Sequence, residues 1–406
     1  MVPPESFPLD HVSSAGRHGN EARADDRPLV SVVMPVYNGQ AFIAEAAESI
    51  LGQTEADLEL IIVDDGSIDH SAEIAAEIAA RDQRVRLVRL GHAGNVAAAN
   101  EGIRLARGQF IAKMDADDIS LPGRVAAQVR HLRQNPDTVG VGGATIALFP
   151  DDSCGEPIQW PLHQRFSADS LLQWIGMPGP GAMMRAETLR TVGGFRGAFV
   201  LAQDADLWRR LIEVGDIDNL AEPILLYRRH PAQVSSRFGP LQKLYGDTAT
   251  ALAHARADGG EPDWKSDEPL SPEVVRQLAE KCSPRAATLL HVALARYLAK
   301  EGLLADAKKH CLCALNGDPS IIRQQPVFNV LWRVAVKLLL NGQAPTLLAL
   351  LTSNPAGLVG CIGGRIKLWA AWPISPAIVS RLRGYRGKDV VLASQREAMT
   401  DAKPAA

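Results

Sequence analysis

Acidic residues are missing from one long part of this 406-residue chain. Between Pro319 and Lys388 there is no Asp or Glu, yet nine Lys and Arg fall there, from Arg323 to Lys388. The whole chain has 43 basic and 46 acidic side chains, so the remainder carries 34 and 46. The near-neutral formal charge of −3 therefore joins two unlike electrostatic environments. Cysteine is scarce: five, at 154, 282, 311, 313 and 361, with no C-x-x-C pair. That excludes a disulfide framework and a zinc ribbon, and fits reduced thiols of a cytoplasmic protein. A membrane-spanning helix needs about 20 mostly apolar residues in a row. The uncharged stretch from Leu338 to Gly364 is too often interrupted, by Asn341, Gly342, Pro345, Asn354 and Pro355 among others. The first 27 residues contain no apolar core of a secretory signal and read as a disordered tail. Neither G-x-G-x-x-G nor G-x-x-x-x-G-K-[ST] occurs, so backbone nests for phosphate are not expected. With 46% hydrophobic and 22% charged residues, what remains is a globular protein.

From Leu29 the pattern is regular. Leu29 to Val36 is nearly all apolar, as for a strand buried on both faces. Phe42 to Leu51 has helical spacing. Strands are then expected at Leu58–Val63, Val85–Leu90 and Gln109–Met114, with helices at Ser71–Ala80 and Val96–Ala106. This alternation predicts an α/β, doubly wound, mostly parallel sheet. Ligands bind such sheets beyond the carboxyl ends of the strands. That rule singles out Pro35-Val-Tyr37-Asn38, Asp64-Asp65-Gly66-Ser67 and Asp115-Ala-Asp117-Asp118. Past Arg237 the texture changes. Ala257 to Pro272 reads as a linker, rich in Gly, Pro and acids. From Ser271 the chain looks helical, and Leu290–Pro319 fits one tetratricopeptide-like unit or an ordinary helical hairpin. The expected division is a tail at 1–28, an α/β domain at 29–240, a helix and linker at 241–272, a mainly helical region at 273–395, and a tail at 396–406.

Asp115, Asp117 and Asp118 crowd three carboxylates into four residues. Like charges resist such crowding unless a cation sits among them. A hard divalent ion, Mg²⁺ or Mn²⁺, suits oxygen ligands and bridges to phosphates. A solvated turn that caps the helix starting near Pro122 is the alternative. Asp64 and Asp65 admit a ribose-binding reading, but that needs a glycine-rich turn after the first strand. Pro35-Val-Tyr-Asn-Gly39 has one glycine.

Taken in order, these motifs resemble a family 2 glycosyltransferase of the GT-A fold. The resemblance rests on Val32-Val-Met-Pro-Val-Tyr-Asn38, Val63-Asp-Asp-Gly-Ser67, Gly94, Asn100, Gly102, Ala106–Ile111 and Met114-Asp-Ala-Asp-Asp118. It continues through Gly181–Arg185, Gly193-Gly-Phe195, Gln203-Asp-Ala-Asp-Leu-Trp-Arg-Arg210 and Tyr227-Arg-Arg-His230. It spans Leu29 to about Arg237. Each motif alone is weak; the ordered set is specific. The resemblance implies a nucleotide-sugar donor held by Pro35, Tyr37, Asp64, Asp65, Asn100, Asp115 and Asp117, with Tyr37 and Asp65 at the base. It implies a Mn²⁺ or Mg²⁺ ion on Asp115 and Asp117, with His230 as a further contact; a lone His is as readily structural. Asp204 matches the general base. The family usually has Glu-Asp there, and Gln203-Asp204 leaves a single carboxylate. Without the resemblance, Asp204 reads equally well as a helix N-cap. Arg124 is expected to pair with the acidic loop, and Gly176–Gly181 to shape the acceptor site. The implied reaction is an inverting displacement with no covalent glycosyl-enzyme. The implied acceptor is a glycan or lipid-linked glycan of a bacterial surface polysaccharide.

The acid-free segment also carries Trp332, Trp369 and Trp372. Basic groups with Trp on amphipathic helices suit the membrane interface, so peripheral contact at the inner face of the cell membrane is expected. A helical domain with a basic face is the alternative. Nucleic acid is not an expected partner of a slightly acidic chain without a nucleic-acid motif. Two rival functions are a sugar nucleotidyltransferase and an inactive, transferase-like scaffold. The first lacks its glycine-rich nucleotide loop. Intact Asp65, Asp115, Asp117 and Asp204 argue against the second.

Overall fold

The computed structural model describes residues 27–341, apart from 168–175, 232, 234–237 and 265–267. β1 (Val30–Val36), α1 (Ile43–Leu51), β2 (Leu58–Asp64), α2 (Ser71–Arg81), β3 (Val85–Arg89), α3 (Asn95–Leu105) and β4 (Phe110–Lys113) alternate as the apolar runs predict. Every residue of β1, β2 and β4 is buried. Their side chains feed two cores in turn. Val32, Met34, Leu60 and Ile62 join one with Ile43, Ala46, Ala47 and Ile50 of α1. Val33, Ile61 and Val63 join another with Val96, Ala99 and Ile103 of α3. Helices on both faces leave no solvated side, so the strands cannot alternate apolar with polar.

The chain continues through β5 (Ile119–Ser120), α4 (Arg124–Gln134), β6 (Thr138–Leu148), β7 (Cys154–Ile158), β8 (His163–Gln164), β9 (Met183–Arg185), α5 (Ala186–Thr191), α6 (Gln203–Leu211) and β10 (Asp216–Arg228). The sheet order is β3-β2-β1-β4-β9-β6-β10-β5, with β7 on β6 and β8 on β10. β9 is antiparallel to both β4 and β6. β6 and β10 run together, and hence in the same sense as β1, β2 and β4. The sheet is thus the mostly parallel GT-A arrangement, with its parallel carboxyl ends on one edge. Gly140-Val-Gly-Gly143 is no phosphate loop. It lies inside β6, where a Cβ at Gly142 would stand 2.3 Å from Asn219 Oδ1 and 2.7 Å from Pro178.

The C-terminal part is helical: α7 (Gly239–Ala257), α8 (Pro272–Lys281), α9 (Pro284–Lys300), α10 (Leu304–Leu315), α11 (Pro319–Ile322) and α12 (Gln325–Leu340). Ser271 and Ser283 cap α8 and α9 by accepting from Val274 N–H and Ala286 N–H, each followed by Pro in the first turn. α9 and α10 form a hairpin, and α7, α8 and α12 also pack on α9. Phe199 and Leu201 of the α/β part share this helical core. The stretch that reads as a linker is fastened down. Glu261 accepts from Arg196 (2.6 and 2.9 Å), Arg256 (2.9 Å) and Trp264 Nε1 (2.9 Å). The Tyr245 hydroxyl donates to the Leu270 carbonyl at 2.5 Å. In α12, Val327, Leu331, Val334 and Leu338 are buried in the helical core. No helix among the described residues is long and apolar enough to cross a membrane. The rest of the acid-free segment, with Trp369 and Trp372, lies outside the described residues.

Candidate active site

Three adjacent parallel strands, β2, β1 and β4, end beside one another, and each delivers one motif. Asp64 is buried and accepts from Ser67 N–H at 3.2 Å. Asp65 is also buried. Its two oxygens accept from Ala93 N–H (2.6 Å) and Gly94 N–H (2.9 Å), which fixes the start of α3. A carboxylate offers about four lone-pair directions, so capacity remains for a ligand. Gly66 has φ +74°, and a Cβ there would meet His92 N at 2.9 Å. The chain needs glycine at that crossing. The Tyr37 ring is 46% exposed and lies 4.3 Å, centroid to centroid, from the His92 ring. An open aromatic plate therefore adjoins the Asp65 carboxylate. Pro35 is buried within β1 opposite Val63. Asn100 donates to the Phe195 carbonyl (2.7 Å) and accepts from Phe195 N–H (2.9 Å). Its amide thereby holds the Gly193-Gly194 turn, both of whose φ angles are positive.

One carboxylate oxygen from each of Asp115, Asp117 and Asp118 lies within 4.8 Å of the others. Asp118 Oδ1 accepts from Arg228 N–H at 2.8 Å, while its buried Oδ2 has no hydrogen-bond partner among the described residues. Asp117 Oδ2 is 2.9 Å from His230 Nε2, so β10 brings that histidine to the loop. Burial pushes the Asp117 carboxyl up, as does the Asp115 charge, while His230 opposes. Burial, Asp117 and Asp115 push Asp118 well above the usual range. The group is short of positive charge and has an orphaned oxygen. These features fit a hard divalent cation. Arg228 braces the loop: its Nε donates to the Asp117 carbonyl (2.8 Å), its Nη2 meets Glu45 (2.5 Å), and its guanidinium lies 4.7 Å from the Phe42 ring centre.

Arg124 does not pair with the acidic loop as expected. It is 1% exposed and donates to the Lys113 carbonyl (2.7 Å) and to Gln128 Oε1 (3.2 Å). Gln128 then donates to the Val141 and Gly181 carbonyls (3.0 and 2.7 Å). At this depth a guanidinium is best used to satisfy backbone carbonyls. Burial lowers its basicity to about 10.

The cation beside the carboxylates is Lys113, which motif reading passed over. It is 4% exposed, and its Nζ is 2.6 Å from Asp115 Oδ1. Asp115 and Asp204 both raise its basicity against the cost of burial. Asp204 lies in the first turn of α6. It does not serve as the N-cap, which is Ala202, and its buried Oδ1 has no hydrogen-bond partner among the described residues. Ala202 has φ +49°, a left-handed conformation that costs a non-glycine residue about 1–2 kcal/mol. Burial pushes the Asp204 carboxyl up; Lys113 pulls it down and Asp115 adds to the rise. Its Oδ2 lies against Gly179, where a Cβ would be only 2.2 Å away. Trp208 Nε1 donates to the Met177 carbonyl at 3.1 Å, tying the 176–181 loop to α6. Asp206 accepts from Arg210 (2.7 and 2.9 Å) and is 3.6 Å from Arg196, which steadies the same helix.

Known proteins share this arrangement in sequence. The profile of Glycosyl transferase family 2 matches residues 31–193. The putative glycosyltransferase EpsE of Bacillus subtilis is 33% identical over 204 residues, covering 46% of this chain and 68% of that protein. An uncharacterized glycosyltransferase of Haemophilus influenzae is 29% identical over 220 residues, covering 52% of this chain and 68% of that one. The O-antigen biosynthesis protein RfbC of Myxococcus xanthus is 32% identical over 248 residues. That match covers 59% of this chain but only 19% of RfbC. With the strand-end motifs, the sheet order and these relatives in agreement, the chain belongs to glycosyl transferase family 2.

Proposed function

We propose that this glycosyltransferase moves a sugar from a nucleoside-diphosphate sugar to a hydroxyl of a glycan or lipid-linked glycan, with inversion, in polysaccharide assembly. One observation carries the reading. A single buried ammonium, Lys113, stands 2.6 Å from Asp115 of the acid loop after β4 and acts through its charge on Asp204 of α6. The group suited to a diphosphate and the group suited to a proton are thereby set side by side. The Tyr37–His92 plate and Asp65 supply stacking and hydrogen-bond acceptance for the nucleotide base. Asp115, Asp117 and Asp118 are the residues that would hold a divalent cation, with His230 behind Asp117. When bound, such a cation supplies charge stabilisation to the departing diphosphate. The acceptor oxygen attacks the anomeric carbon as the bond from that carbon to the phosphate oxygen breaks. Asp204 Oδ1, buried and unpartnered, takes the acceptor proton. Burial and Asp115 raise the Asp204 carboxyl, and the Lys113 charge opposes that rise and so favours the ionised form. Arg228 and Arg124 orient the loop through its backbone.

The O-antigen role in the name of the Myxococcus relative supports a surface polysaccharide as product. The acid-free segment, with Trp369 and Trp372, supports peripheral contact at the inner face of the membrane. The test is nucleotide release from a panel of nucleotide sugars, with Mn²⁺, Mg²⁺ or chelator. Release with one donor, lost in Asp204→Asn by about 10²–10⁴ in kcat with the fold intact, is the expected result. No turnover and no nucleotide binding across the panel would leave a scaffold as the answer.

A further inference from the structure

Four helices bring basic side chains together outside the acid loop. Arg209 of α6 is 8% exposed, and its buried Nε has no partner among the described residues. Its Nη1 turns back to the Ala205 carbonyl at 3.0 Å. Lys243 of α7 sets its ammonium 3.2 Å from Asp247. Arg296 of α9 touches the same carboxylate and also donates to the Lys243 carbonyl at 3.5 Å. Arg333 of α12 is exposed and acts on Arg296 through its charge. Asp206 also faces Arg209, but it is engaged by Arg210 and Arg196. The group therefore holds an excess of positive charge. Burial, Arg296 and Arg209 push the Lys243 ammonium down to about 8. Burial and Arg333 push Arg296 down to about 10. This mirrors the acid loop, where the shortage is of cations.

We propose that Arg209, Lys243, Arg296 and Arg333 form an anion site for a phosphate or diphosphate group. The chemistry favours phosphate over a carboxylate. Planar guanidinium groups from different helices match its several oxygens, and the Lys adds a mobile point charge. Asp247 neutralises one cation, and the remainder suits a dianion. Burial grades from Arg209, nearly enclosed, to Lys243 and Arg333, which face solvent. The site shares α6 with Asp204 but lies five residues further on, about one and a half turns. It does not rest on the transferase reading.

The experiment uses the full chain with chelator present, so that pyrophosphate has no metal to bridge it to the acid loop. Calorimetric titration with inorganic pyrophosphate should detect binding that weakens with salt. Lys243→Gln/Arg296→Gln should lose about tenfold in affinity for each cation removed. Arg276→Gln, an exposed charge on α8, should change nothing. If the double variant melts early, Lys243→Gln alone serves, because that side chain is 63% exposed. A second arm sediments the chain with phosphatidylcholine vesicles, with and without phosphatidylglycerol. Retention on the anionic vesicles that falls in the double variant identifies a lipid headgroup as the source. Pyrophosphate binding with no such fall identifies a soluble phosphate compound. Equal pyrophosphate affinity in wild type and variant overturns the proposal, as does no binding of either probe at low ionic strength.

Discussion

Gly179→Ala tests the position of the base through a residue with no chemistry of its own. A Cβ at 179 would stand 2.2 Å from Asp204 Oδ2 and 3.0 Å from its Cγ. An ordinary contact needs about 1 Å more. Gly179 is not among the glycines with positive φ, so alanine fits its backbone and the conflict is steric alone. The loop has little room to yield. Pro178 and Pro180 flank the site, and Pro178 already lies 2.7 Å from where a Cβ on Gly142 would be. The carboxylate therefore moves, by about 1 Å, and a displacement of that size costs about 10² in rate. That corresponds to about 2.7 kcal/mol on the barrier. The assay is transfer to acceptor at saturating donor, alongside donor binding by calorimetry and a thermal midpoint. The expected outcome is a hundredfold lower kcat with donor affinity and midpoint near wild type. A kcat within about twofold of wild type, in a folded variant, would refute the argument that Asp204 must stay against Gly179.

Three further outcomes follow from charges in the fold. Lys113→Met removes the cation that pulls Asp204 down. The base works ionised, so activity falls as pH drops through its pKa, and this acid limb should move to higher pH; an unmoved limb contradicts the role given to Lys113. Glu261→Gln leaves Arg196 and Arg256 without their shared carboxylate and should cost about 2–4 kcal/mol in denaturant unfolding, since breaking a mostly buried pair strands its partner. His254 is 1% exposed, with no hydrogen-bond partner for either ring nitrogen among the described residues, and burial pushes its pKa from 6.5 down to about 4. Its neutral form stabilises the fold above about 6.5, and that contribution is lost as pH falls toward 4. The thermal midpoint should decline across that window, and less steeply in His254→Met.

The β-α alternation and the strand-end acids are legible because parallel strands buried on both faces must be apolar throughout. Val32 and Val33 face different cores, yet both must be apolar. The short strands β5, β7, β8 and β9 are not legible. Two to five residues, some of them polar, carry no period to read, and β9 becomes a strand only by insertion between β4 and β6. The carboxylates Asp65, Asp115, Asp117 and Asp204 stand out as chemistry, but their settings do not. Lys113 reads as a lone polar residue inside an apolar strand, although its burial beside Asp115 is what makes it matter. Asn100 falls in a motif and invites a ligand role, while its amide bonds to Phe195, 95 residues away. Arg124 shows the same limit, since only the packing of α4 on the sheet turns its guanidinium to the backbone.

The stretch matching the family profile ends at residue 193, before α6 begins. The helix that carries Asp204 packs Leu207, Trp208 and Leu211 into the α/β core, and is also tied through Arg196 and Glu261 to the segment that leads into the C-terminal helices. On the proposed roles, the donor loops lie within the matched stretch and the acceptor base lies beyond it. Substitutions accumulating in the C-terminal half can shift the tilt of one helix while the donor loops stay untouched. A chimera joined at residue 193 would separate those two inheritances, keeping the grip on the nucleotide while exchanging the choice of what receives the sugar.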